Sequence, residues 1–115
     1  MSTITTILLV LLLSWVCTLQ AQPYAYITNQ GSDSVSVIDT EINKVIKTIK
    51  VGSSPAGVVV SNDGKRVYIS NPKSHDISVI NTESLSVIET VNVGGGPLAI
   101  AISPDDKSVY VADWY

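Results

Sequence analysis

Hydrophobic and polar side chains alternate in short runs along most of this chain, and each run is closed by residues that favour a reversal. Residues 34–38 and 76–80 set Val35 and Val37, or Ile77 and Val79, two positions apart, the period of a half-buried strand. Residues 44–51 and 86–93 mix apolar positions with Lys47 and Lys50, or with Glu89 and Asn92, as an edge strand does to discourage pairing with other chains. In Gly57-Val58-Val59-Val60 and Ala99-Ile100-Ala101-Ile102 one face is β-branched and the other is small. A small face suits a strand whose backbone is approached closely by its neighbours. Between the runs stand Asn62-Asp63-Gly64-Lys65, Pro104-Asp105-Asp106-Lys107, Gly52-Ser53-Ser54-Pro55 and Gly94-Gly95-Gly96-Pro97, all turn chemistry. No stretch beyond residue 22 has helical periodicity, so the pattern predicts an all-β fold.

The runs recur with a period of 42 residues and no gap. Tyr26-Ile27-Thr28-Asn29 returns as Tyr68-Ile69-Ser70-Asn71 and again as Tyr110-Val111-Ala112-Asp113. Val35-Ser36-Val37-Ile38-Asp39-Thr40 returns as Ile77-Ser78-Val79-Ile80-Asn81-Thr82, and Pro55 returns as Pro97. Each period holds four strands: residues 57–60, 67–70, 76–80 and 86–93 in the complete one. The Gly- and Pro-containing segments then carry the chain from the outermost strand to the innermost strand of the next unit.

These motifs resemble the YVTN-type β-propeller repeats, over residues 25–113. The resemblance implies a partial β-propeller of four-stranded antiparallel blades, divided as a partial blade 25–52, a full blade 55–94 and a partial blade 97–115. Propellers close with roughly 4–8 blades, so a fragment is expected, and one that associates or loses order when isolated. Prolines 55 and 97 mark entry into the inner strands, and residues 57–61 and 99–103 are expected to be the most buried.

Residues 1–32 carry no charged side chain, and residues 7–17, ahead of the repeats, are an almost unbroken apolar run. That run has the length of a signal-peptide core and falls short of the roughly 20 residues that cross a bilayer. A signal-peptide helix over residues 1–21, cleaved after Ala21, is therefore expected, with the repeats occupying 22–115. The location implied is secreted, periplasmic or cell-surface, and membrane contact is expected only through an uncleaved signal. Trp15 and Val16 differ from the small residues that precede a lipidated cysteine, so Cys17 reads as part of the apolar run, and cleavage after Ala21 removes it, leaving a mature chain with neither disulfide nor thiolate site.

Seven basic and ten acidic side chains, all beyond the signal, leave a net charge of −3. That balance and the scattered lysines argue against nucleic acid as a partner. His75 is the sole histidine and sits at a hairpin tip, as a loop residue rather than a ligand or base. Asp63, Asp105 and Asp106 lack the alternating ligands of a calcium loop and read as turn formers. Asn29, Asn71 and Asp113 end the second strand of successive units, where a side-chain oxygen can bond the backbone of the following hairpin. Tyr26, Tyr68 and Tyr110 fit packing between blades better than a ligand ledge. Ser53 and Ser54 have no base at a constrained spacing, and Gly94-Gly95-Gly96 lacks the strand-to-helix context of a phosphate loop. No catalytic, cofactor-binding or metal residue is assigned. The function expected is a non-catalytic interaction module that binds a protein, glycan or small ligand. The alternative is a piece of an enzymatic propeller, amine dehydrogenase-like or lactonase-like, with its catalytic residues in other blades.

Overall fold

The computed structural model describes residues 23–114, so the expected signal helix of residues 1–21 lies outside the described residues. Every regular element among them is a strand. β1 (Tyr24–Asn29), β2 (Ser34–Asp39) and β3 (Lys44–Lys50) form a three-stranded sheet in that order. β4 (Val58–Val60), β5 (Arg66–Asn71), β6 (Asp76–Asn81) and β7 (Ser86–Asn92) form a four-stranded sheet, and β8 (Pro97–Ile102) pairs with β9 (Val109–Asp113). All pairings are antiparallel. The chain is a β-propeller repeat array, with one sheet to each blade.

The 42-residue repeat reappears as a repeated register. Tyr26 opposes Val37 and Tyr68 opposes Val79. The ladder shifts between Val37 and Ile38, and again between Val79 and Ile80, leaving Ile46 and Ile88 of the outer strands without a Cα partner. One extra residue at the same place in both outer strands twists each edge away from flat pairing.

The hydrophobic core lies between the first two sheets. Val35, Val37 and Ile49 meet Val67, Ile69 and Ile80, with Tyr24, Tyr26, Val51, Leu85 and Val87 packed around them. Alternation along β5 and β6 divides the second sheet. Val67 and Ile69 serve this core, while Tyr68, Ile77 and Val79 line an open cleft of about 240 Å³ toward Val109 and Val111. The three tyrosines thus hold equivalent stations in the blades: Tyr26 packs on the core, Tyr68 lines the cleft and Tyr110 is exposed.

One expectation fails. The innermost strands are not the most buried: Val58 and Val60 are 38% and 42% exposed, whereas Val67 and Ile69 of the adjacent β5 are fully buried. β4 lies at the edge of its sheet and is covered on few sides, while β5 and β6 have a strand on each flank and a sheet on at least one face. Pro55 and Pro97 are themselves buried, and the close approach expected of the small face is present at Gly57. A Cβ there would collide with the Leu98 carbonyl oxygen of the next blade and come within 2.8 Å of Ser70 Oγ.

Candidate functional site

The β1–β2 and β5–β6 hairpins and the crossings at 51–57 and 93–97 gather at one end of the sheets, and the β4–β5 and β8–β9 turns lie at the other. Most of the polar residues singled out in the sequence are engaged at these ends, either within their own hairpin or turn or across to the next blade. Thr28 donates its hydroxyl to the Ala56 carbonyl at 3.0 Å, and Ser70, one repeat later, donates to the Leu98 carbonyl at 2.6 Å while accepting from the Gly57 N–H at 2.8 Å. The strand-two hydroxyl therefore ties each blade to the inner strand that follows it. The third copy of this position is Ala112, which has no hydroxyl to offer.

Asp33 and His75 occupy one repeat position, both in the left-handed region at φ 54° and 62°. Their side chains latch the next crossing by opposite means. The Asp33 carboxylate accepts from the Ser54 N–H at 2.9 Å, and His75 Nδ1 reaches the Gly95 carbonyl oxygen. A carbonyl only accepts, so this contact places a proton on Nδ1 and gives the sole histidine a structural task. The expected bond from a side-chain oxygen to the hairpin backbone is replaced at the two asparagines by bonds from the amide nitrogen to side chains: Asn29 donates to Ser34 and Ser36, and Asn71 to Asp76 and Ser78 at 2.9 Å each. Ser74 Oγ accepts from the Ser53 N–H and donates to Asp76, while Asp113 accepts from the Gly96 N–H at 2.7 Å.

At the opposite end, Asp63 and Asp105 form matching turns. Each carboxylate accepts a 2.6 Å bond, from Ser61 or from Ser103, and a backbone bond from Lys65 or Lys107. The serine bond first, then the backbone bond, holds each carboxyl below the usual carboxylate range. Asp106 does more than turn the chain: its carboxylate accepts from the Asn62 N–H, the Asn62 side chain and the Asp63 N–H of the preceding blade. Among the described residues there is no group of three or more His, Cys, Asp and Glu side chains able to hold a metal.

The latches leave a groove at the hairpin end, of about 260 Å³, lined by Gln30, Ser54, Pro72, Lys73, Leu98 and Trp114. Gln30, Pro72 and Trp114 are a single repeat position in three blades, directly after Asn29, Asn71 and Asp113. The latches also hold the groove's walls. Asp33 orients Ser54, Ser70 grips Leu98, the Lys73 N–H donates to Ser53, and the Trp114 N–H donates to the Gly96 carbonyl at 2.9 Å. The side chains of Gln30, Ser54 and Lys73 have no hydrogen-bond or ion-pair partner among the described residues. Apart from Ser54, weighed there only as a nucleophile, sequence reasoning passed over these lining residues. Their signal was the contrast between a preserved motif and the Gln, Pro, Trp variation immediately after it.

A model of the YNCE-like beta-propeller family matches residues 16–115. The chain is similar to the PE-PGRS family protein PE_PGRS18 of Mycobacterium tuberculosis, at 56% identity over 36 residues, 31% of this chain and 8% of that protein. Among solved structures it is similar to Kuenenia stuttgartiensis hydrazine synthase, with TM-score 0.77 and 34% identity over 79% of this chain and 26% of the other. It also superposes on the dihydro-heme d1 dehydrogenase NirN in complex with DHE, with TM-score 0.71, 21% identity and 81% of this chain covered, a likeness of fold. The described repeats thus correspond to 20% of the length of that last chain.

Proposed function

Because the chain belongs to the YNCE-like β-propeller family, we propose that it is an exported, non-catalytic interaction propeller that binds its ligand at the hairpin end, in the groove between Gln30 and Trp114. The observation that carries this reading is a division of labour within the repeat. The reactive side chains there, Asp33, His75, Asp76 and Asp113, are committed to backbone or side-chain partners that join blades and hairpins. The adjoining, non-repeating positions present to an open groove an amide, a hydroxyl, an ammonium and an indole that have no partner among the described residues. A few convergent polar groups beside apolar surface, on a rigid frame, make a recognition site. Export is supported by the uncharged apolar start, and N-terminal sequencing of secreted material is expected to begin at Gln22 rather than Met1. The groove is tested by placing a photoreactive side chain at position 30 or 73, and for control at 41 or 83 on the β2–β3 and β6–β7 turns. A ligand adduct formed from the first pair alone supports the reading, and equal labelling from both pairs contradicts it.

The 34% identity to a hydrazine synthase chain supports a second reading, in which these blades belong to a larger enzyme whose reacting groups lie outside residues 23–114. Absorption bands of a bound redox cofactor in the full-length protein would favour that reading.

A further inference from the structure

The geometry points to an acidic saccharide as the ligand of the hairpin-end groove, with the face of one pyranose ring against Trp114 and its carboxylate on Lys73. This rests on the groove being the binding site, as proposed above. The groove contributes one cation, Lys73, and that ammonium has no ion-pair partner among the described residues. One cation suits a single negative charge, whereas a phosphate or dicarboxylate is better held by several donors or by a bidentate Arg. The three carboxylates nearest in sequence to the lining residues are engaged elsewhere: Asp33 and Asp113 accept from the backbone N–H groups of Ser54 and Gly96, and Asp76 accepts from the Asn71 amide and the Ser74 hydroxyl.

The remaining polar groups are neutral. The Gln30 amide and the Ser54 hydroxyl each both donate and accept, which matches ring hydroxyls that do the same. The apolar lining consists of Pro72, Leu98 and Trp114, a residue that is 71% exposed. A flat indole beside hydrogen-bonding groups and a single charge complements the C–H face, the hydroxyls and the carboxylate of a uronic acid. A purely apolar ligand would leave Lys73, Gln30 and Ser54 without a role, and an extended peptide would seek an open strand edge rather than a groove lined by hairpin tips.

The test titrates the full chain with D-galacturonic acid and with D-galactose, following backbone amide shifts and the Trp114 indole signal. Galacturonic acid is expected to perturb Gln30, Ser54, Lys73 and Trp114 and to bind about fivefold more tightly than galactose, a preference that fades with added salt. Lys73→Met is expected to abolish the preference while leaving galactose binding in place, and Trp114→Ala to weaken both sugars. Equal binding of the two sugars, or a preference that survives Lys73→Met, overturns the assignment. A tetra-aspartate peptide separates the two claims. If it shifts the groove residues and neither sugar does, the groove stands as a site and the saccharide is overturned; if no probe moves them, both are overturned.

Discussion

Asp63 and Asp105 occupy turns of the same design, and the chemistry of each is local: a serine two residues before and a backbone N–H two residues after supply the hydrogen bonds. Those bonds favour the charged carboxylate, so the folded-state pKa lies below its ordinary value of 3.8 in both turns. The stabilisation is therefore complete above the unfolded value and is lost as pH falls through the lowered folded value. Ser61→Ala is expected to raise the Asp63 pKa toward the ordinary value without moving Asp105, as a carboxyl-carbon NMR titration would read. These roles were legible because an Asx turn closes on its own neighbours. Asp106 was not legible in the same way, since its carboxylate grips Asn62 on another blade, and only the fold brings the two together. It sits at φ 61°, where the preceding repeat has Gly64 at φ 72°. Asp106→Gly relieves backbone strain yet removes the grip, so amide exchange at Asn62 and Asp63 is expected to accelerate by about tenfold. Unchanged exchange there would show that the clamp does nothing in solution.

The strands themselves could be read from alternation, and even the bulges left a trace, because the alternation of polar and apolar residues breaks at Val37-Ile38 and Val79-Ile80, where the ladder shifts. Burial was the part that alternation could not rank. It depends on how many strands the facing blade supplies, which is a property of neighbours and not of the strand. Ile49 and Val91 make the point, since they are the same repeat position on the outer strands β3 and β7. Ile49 faces a four-stranded sheet and is 5% exposed, whereas Val91 faces the two-stranded β8–β9 sheet and is 40% exposed. Ile49→Ala is accordingly expected to cost about 2–5 kcal/mol, and Val91→Ala under about 1 kcal/mol. Chemical denaturation of the two variants checks this, and equal losses would mean that the first two sheets do not share the core described.

Across the whole molecule, the repeat assigns stability and recognition to adjacent positions. The hydroxyls of Thr28 and Ser70, at one repeat position, join a blade to the next, while Gln30, Pro72 and Trp114, two residues further on in the repeat, line the groove. The family and its strands were legible in the sequence because both rest on local patterns. The groove was not, because its six lining residues come from two hairpins, a crossing, β8 and the residue after β9. The most direct test is a single set of urea midpoints for the full chain and five variants. Ser70→Ala and Gly57→Ala, which break the tie between blades or crowd the Leu98 carbonyl, are expected to lose about 1–3 kcal/mol each. Gln30→Ala, Lys73→Ala and Trp114→Ala are expected to stay within about 0.5 kcal/mol of the parent. If the groove variants unfold as early as the blade-tie variants, the groove side chains are structural and the division of labour is wrong.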